Sequence, residues 1–439
     1  MRKVSILALL LVSAILLQAQ NPIVPAGAYI ADPSAHQWKD GKMYVYGSRD
    51  ESPDYYCSWS YDVLSSSDLK TWERHKNSFV SKGTNDQVPY GDYFLYAPDC
   101  QYANGQYYLY YCLASNRSTE GVAISKSPAG PFINGTNLKV YNYNEIDPCV
   151  FIDDDGQAYY IWGQFSAKMA KMKPNMMEID SATIRDNVVT EKEHFFHEGG
   201  YMVKRNGIYY FIYAHMGRAG RPTCIGYATS RSPMGPFKYG GVIIDNDHCD
   251  PGCWNNHGSI AEFNGKWYVF YHRSTHGSNT MRKACVEPIS FNNDGSINEV
   301  EMTTQGASAP LMANIELDAA RACLLYGNVR IKAFSKDKEV LTLIKNGDAA
   351  AYKYLDFSSP SDSFMVKAAS GNKGVNIDVV LDNSWGPPIG SVYIPGNGDG
   401  KTIQPFSCKI KSVKGIHSVW LRFSGNDDDL LAIDSFLFK

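Results

Sequence analysis

DGKMYVYGS at residues 40–48 is one copy of a phrase that the chain uses five times. The others are NGQYYLYYC (104–112), DGQAYYIWG (155–163), NGIYYFIYA (206–214) and NGKWYVFYH (264–272). Each sets Asp-Gly or Asn-Gly before an aromatic, β-branched run. Each also places a tyrosine three residues after the glycine: Tyr44, Tyr108, Tyr159, Tyr210 and Tyr268. Asp-Gly and Asn-Gly tolerate the positive φ that a tight hairpin requires. The glycines, Gly41, Gly105, Gly156, Gly207 and Gly265, are 64, 51, 51 and 58 residues apart. Hairpin units at such a period predict the blades of a propeller, here five blades of four strands over residues 21–304.

The pattern leaves residues to spare. A chain of 439 residues exceeds one ordinary domain. Around 305–314 the sequence turns small and polar, as in GASAP, which reads as a linker. Residues 315–439 carry alternating runs such as SFMVKAAS, VNIDVVLD and HSVWLRFSG between Gly, Asn, Asp and Pro turns. That alternation predicts a β-sandwich of jelly-roll type. The fold expected is therefore all-β, a five-bladed propeller followed by a sandwich. One short helical stretch is expected near 179–185.

Composition removes several function classes. With 42 basic and 45 acidic residues the chain has a net charge of −3, so no basic surplus points to nucleic acid. Arg2 and Lys3 precede an apolar stretch, 4–17, then Gln18, Ala19 and Gln20. This reads as a signal peptide over residues 1–20, and predicts an exported protein, periplasmic or extracellular. No later stretch is long and apolar enough to span a membrane. The ten cysteines form no framework. Cys249 and Cys253 lie near His248 and His257, but without a second pair they match zinc spacing less well than small packing residues or one local disulfide.

The repeat also ranks the acidic residues. Nine positions before each hairpin glycine stand Asp32, Tyr96, Asp147, Glu198 and Asn256. Equivalent positions in a propeller occupy equivalent places around the axis, so the three carboxylates should converge at one end of the channel. Each sits in a tight context: IADPS, EIDPC and HEGGY. A lone carboxylate there would most simply satisfy strand-end amides. Three at one phase suit a cation site or an acid/base site; a metal cage would not need aromatic rims, and sugar chemistry would use a base, an acid and a group that tunes the acid. Tyr96, Trp162, Phe165, His215, Arg218 and Arg273 are candidates to bind substrate, because aromatic faces stack on sugars and arginine grips hydroxyls. Asp99 falls out of phase and reads as a holder of backbone in the second blade.

With these motifs in order, residues 21–304 resemble glycoside hydrolase family 43. The resemblance implies an inverting enzyme of five blades that acts on plant polysaccharide. It implies that Asp32 is the general base, Asp147 the orienting and pKa-tuning carboxylate, and Glu198 the general acid. It matches the fifth-blade His-Gly motif to His257 and Gly258, and implies that His257 faces a channel ion such as calcium, through water. No organic cofactor is implied.

Residues 315–439 resemble a family 6 carbohydrate-binding module in IELDAA, KNGDAAAYKYLDF, VNIDVVLDN and LLAIDSFLF. Glu316, Asp318 and Asp434 match positions that often hold structural calcium in that family. The usual cleft tryptophan is missing from GKTIQPFSC. Tyr352, Tyr354 and Trp385 are the aromatic residues left to form a platform. The function expected is removal of arabinofuranosyl or related pentose units from plant polysaccharides. β-Xylosidase, arabinanase and galactan-active enzymes are alternatives within the family. A non-catalytic glycan-binding protein is the alternative outside it, and the complete trio argues against that.

Overall fold

The five repeat glycines all turn with positive φ: 79°, 76°, 84°, 73° and 78° in chain order. In the three Asn-Gly copies the asparagine is left-handed too, and the turns have two residues. The two Asp-Gly copies lie in longer connections, 38–42 and 153–157. The repeat tyrosines are all buried and pack between neighbouring sheets. This computed structural model describes residues 20–115, 120–140, 146–218, 220–396, 398–425 and 431–439. The expected signal peptide lies, but for Gln20, outside the described residues.

Five antiparallel sheets follow from the five hairpins. The first joins Ile30–Gln37, Met43–Arg49, Ser60–Ser66 and Glu73–Val80. The second joins Asp99–Ala103, Gln106–Cys112, Glu120–Ser125 and Ile133–Asn137. The fourth joins Phe196–Arg205, Ile208–His215, Cys224–Ser230 and Lys238–Asp245. The third and fifth sheets depart from the expected four strands. The third has Cys149–Ile152, Ala158–Trp162 and Lys168–Lys171, with only isolated bridges beyond. The fifth has Ser259–Phe263, Lys266–Arg273 and Lys283–Ile289. Its outer edge is covered by the start of the described chain. Ile23 N donates to Ala284 O at 2.9 Å, and Asn21 Oδ1 accepts from Val286 N at 2.9 Å. The two ends of the propeller sequence thus meet at one seam. Near 179–185 there is a 3-10 turn, Ser181–Thr183, and a single α-turn follows at Glu191–His194.

The C-terminal domain is one folded-over sheet. Two long strands, Ala349–Ala369 and Ile403–Gly425, bend and pass through both layers. Its core holds Leu325, Tyr352, Phe364, Val379, Phe423, Phe436 and Phe438. Tyr352 therefore cannot serve as a sugar platform: its ring is buried and its OH donates to Ala319 O. Residues 305–314 are not a free linker. Gln305 N donates to Lys353 O, and Leu311–Met312 pairs in parallel with Leu355 and Asp356.

The domains share an apolar cluster in which Trp420, Val380 and Ala351 meet Cys253, Cys285 and Met302. Polar contacts flank it. Lys283 pairs with Glu339, Tyr29 OH donates to the same carboxylate, and Leu325 N donates to His248 O. The C-terminal domain thus packs on the last propeller strand, Lys283–Ile289, and on residues 248–253. All ten cysteines are free, and nine are buried.

Candidate active site

The innermost strands of the first and fourth sheets break register where the site lies. Pairing shifts between Ala31 and Ser34, and on both sides of Glu198. A bulge re-aims a side chain. Asp32 and Asp147, each before a proline, have φ of 53° and 60°. Left-handed non-glycine backbone is costly and is retained where the surroundings fix it. Gly199 follows Glu198 at φ 67°, and a Cβ there would fall 2.6 Å from the His257 Nε2 atom. HEGGY needs its first glycine for both reasons.

These distortions bring Asp32, Asp147 and Glu198 into one cavity of about 200 Å³ at the channel mouth. Tyr56, Tyr96, Gln164, His197, Trp254 and His257 complete its wall. Asp32 is buried and well tied. Its Oδ1 accepts from Arg282 Nη1 at 2.8 Å and its Oδ2 from Ser48 Oγ at 2.6 Å. Burial alone would raise its pKa. The Arg282 charge, then His272 and His257, outweigh burial and hold the carboxyl far below the ordinary range. Asp50 fixes Arg282 by accepting from Nε and Nη2, both at 2.9 Å. Asp147 is the opposite case. Burial first, then the charges of Glu198 and Asp32, push its carboxyl well above the ordinary range. Glu198 is the most exposed of the three, and Gln164 Nε2 donates to its Oε2 at 2.8 Å. His257 Nδ1 stands 3.6 Å from Asp32 and 3.8 Å from Asp147. Burial keeps its imidazole below the usual value.

The arrangement offers a carboxylate whose ionised form Arg282 favours, Asp32, and a carboxyl whose protonated form burial favours, Asp147, with Glu198 in the same cavity.

The other candidates divide. Tyr96 lines the cavity, and Phe165, 56% exposed, sets its ring edge-on to His197 at the rim. Trp162 does not reach the cavity; it is fully buried against Tyr160 between sheets. His215 is buried against Tyr213 and Tyr239, and burial lowers its pKa to about 4. Arg273 is buried on Tyr271 and Thr303. Arg218 lies elsewhere, on Glu299. Asp99 binds Ser34, His36 and the amide of Val150, and so stitches three sheets together. The sequence reading missed Arg282, Asp50, Tyr56, Gln164, His197, Trp254 and Asn255. Trp254 and Asn255 adjoin the NHG motif, which was the available signal for them.

The expected calcium ligands of the C-terminal domain carry other partners. Glu316 takes Lys367 at 2.7 Å, Asp434 takes Lys338 at 2.9 Å, and Asp318 faces Arg321 at 3.6 Å. Lysine ammonium groups hold oxygens of Glu316 and Asp434 that a cation would need, so this arrangement does not fit the ion. Among the described residues no three His, Cys, Asp or Glu are spaced to ligate one metal ion directly. No helix among them is long and apolar enough to cross a membrane.

Comparison with known proteins agrees with this geometry. Residues 19–297 match the profile of glycosyl hydrolases family 43, and residues 319–439 that of carbohydrate binding module family 6. A xylosidase/arabinosidase of Thermoclostridium stercorarium is 31% identical, over 93% of this chain and 97% of that protein. An arabinoxylan arabinofuranohydrolase of Paenibacillus polymyxa is 26% identical, over 91% and 71%. The structure of a Bacillus subtilis arabinoxylan arabinofuranohydrolase with cellotetraose superposes with a TM-score of 0.56 at 26% identity, over 96% of this chain and 97% of that one. A compost-metagenome β-xylosidase/α-arabinofuranosidase with xylotriose gives 0.55 at 30% identity, over 64% and 97%. Three carboxylates in repeat phase, the five-sheet ring that aims them and these matches together place the chain in glycosyl hydrolase family 43, the inverting glycosidases.

Proposed function

We propose that this enzyme is an exported, exo-acting α-L-arabinofuranosidase that removes arabinofuranosyl side units from plant arabinoxylan. The observation that carries the reading is the convergence of three carboxylates in one cavity: Asp32 bonded to Arg282, and Glu198 with Asp147, whose carboxyl burial pushes above the ordinary range. A cavity of about 200 Å³ is room for one sugar unit, which supports exo action. In this reading Asp32 takes a proton from water as its oxygen attacks the anomeric carbon. Glu198 gives a proton to the departing oxygen as the glycosidic bond breaks, and the product sugar has inverted configuration. Asp147 is the third carboxylate in this reading, in the same cavity as the acid. Three relatives carry both activities in their names, which makes β-xylosidase the second reading.

The test is release of 4-nitrophenol from the α-L-arabinofuranoside, the β-D-xylopyranoside and the β-D-galactopyranoside. Fastest release from the arabinofuranoside is expected. Fastest release from the xylopyranoside would replace this reading with the second.

Asp147 supplies a prediction on stability. Its carboxyl is raised by burial, then by the charges of Glu198 and Asp32. Between its unfolded pKa, about 3.9, and its folded one, the native state binds more protons than the unfolded state. Stability is therefore greatest below the unfolded pKa and is lost as pH rises toward the folded pKa. Asparagine mimics the protonated form. Asp147→Asn is expected to raise Tm at about pH 7, to raise it less at about pH 4, and to lower kcat. A lower Tm at neutral pH would show that Asp147 is ionised there.

A further inference from the structure

We infer that Tyr56 is a specificity-determining residue: its hydroxyl proton is aimed into the catalytic cavity as a fixed donor to one hydroxyl of the sugar bound there. The inference rests on the reading that one sugar unit fills this cavity. Tyr56 stands between the strands Met43–Arg49 and Ser60–Ser66 and lines the cavity. Trp254 and Asn255 line it from the segment before Ser259–Phe263, and both reach the Tyr56 oxygen. Trp254 Nε1 donates to it at 3.0 Å and Asn255 Nδ2 at 2.9 Å.

The direction of both bonds is fixed. An indole N–H only donates. An asparagine amide has two orientations, and its neighbours select one here. His272 Nδ1 accepts from the backbone amide of Asp32 at 3.2 Å, so the ring proton sits on Nε2 and is donated to Asn255 Oδ1 at 2.7 Å. Asp32 Oδ1 lies 3.4 Å from the same Nδ1, but a proton there would face the amide hydrogen. Burial lowers the His272 pKa, which keeps the ring to one proton. Asn255 Nδ2 also faces the carbonyl of Asn279 at 3.5 Å, where an amide oxygen would meet another oxygen. The nitrogen is therefore the atom turned to Tyr56.

With two donors on its oxygen, Tyr56 sends its own proton elsewhere, and among the described residues no acceptor takes it. Burial pushes its pKa up to about 12, so it stays a donor. The ring is held as well, with Arg282 Cζ 4.9 Å from its centroid. Other donors of the wall are spent: Gln164 Nε2 on Glu198, and Arg282 on Asp32 and Asp50. The bonds from the Asp32 amide through His272 and Asn255 to Tyr56 set donor and base relative to each other. A sugar that accepts the Tyr56 proton is thereby placed against Asp32. A sugar without that hydroxyl leaves a buried phenol unpaired, which is how a polar site discriminates.

The test is Tyr56→Phe, which keeps the ring over Arg282, assayed beside wild type on 4-nitrophenyl α-L-arabinofuranoside and on its monodeoxy analogues, one for each hydroxyl. On the parent glycoside kcat/KM is expected to fall about tenfold. On one analogue, lacking the hydroxyl that Tyr56 serves, wild type and variant should agree within about twofold. A fall shared equally by the parent and every analogue would mean a disturbed loop and overturns the inference, as does no fall at all. If the xylopyranoside is the faster glycoside, the same series on monodeoxy xylopyranosides decides, so the arabinofuranoside reading fails without the donor. Wild type inactive on every aryl glycoside removes both.

Discussion

Replacing Asp32 with Asn is expected to lower kcat by about 10²–10⁴-fold, the range that a positioned general base supplies. The geometry says why the loss should be catalytic and not structural. Asp32 Oδ1 faces Arg282 and Oδ2 faces Ser48, so one oxygen of the amide still accepts a hydrogen bond. Arg282 is not left as an unpaired buried charge, because Asp50 holds it through Nε, Nη2 and the backbone amide. The fold survives while water loses its proton acceptor. Steady-state kinetics on 4-nitrophenyl α-L-arabinofuranoside, beside a thermal melt, separate the two effects. A kcat within about tenfold of wild type would fall short of that range and remove Asp32 from the base role.

Glu198→Gln should show a loss that depends on the leaving group. On arabinoxylan, whose departing sugar oxygen needs a proton, kcat/KM is expected to fall by about 10²–10⁴-fold. On a 2,4-dinitrophenyl arabinofuranoside, whose phenolate leaves unaided, the loss should be far smaller. Gln164 Nε2 donates to Glu198 Oε2, a bond the glutamine oxygen can keep, so the side chain stays in place. Equal losses on both substrates would mean that Glu198 positions the sugar and does not protonate the leaving group.

The sequence carried the ring and its three carboxylates because both are written in the repeat. A hairpin glycine fixes the turn, and nine positions back fixes the place around the axis. Tyr96 came with the trio for the same reason. What lay outside the repeat did not come through. Arg282 meets Asp32 across 250 positions, and no local period encodes that. Trp162 and Arg273 were misplaced because a strand alternates its faces. Trp162 shares the buried face of Tyr160, and Arg273 that of Tyr271, to whose OH it donates. Gln164, in the bend just after Trp162, is the one that reaches the cavity. In the C-terminal domain Tyr352 alternates inward and Trp385 stands in a turn, a difference that aromatic content alone cannot express.

The seam has a consequence for the order in which the molecule becomes competent. Most blade strands join neighbours in sequence and form through short loops. The Arg282–Asp32 and Asn21–Val286 bonds span 250 and 265 positions. Closing so long a loop adds little to the equilibrium cost, which grows only with the logarithm of length, but contacts so distant slow folding. A chain with every blade formed and the seam open has native strand content and a base without its guanidinium. Recovery of turnover is therefore expected to lag recovery of the strand signal during refolding, which would make catalysis the reporter of ring closure.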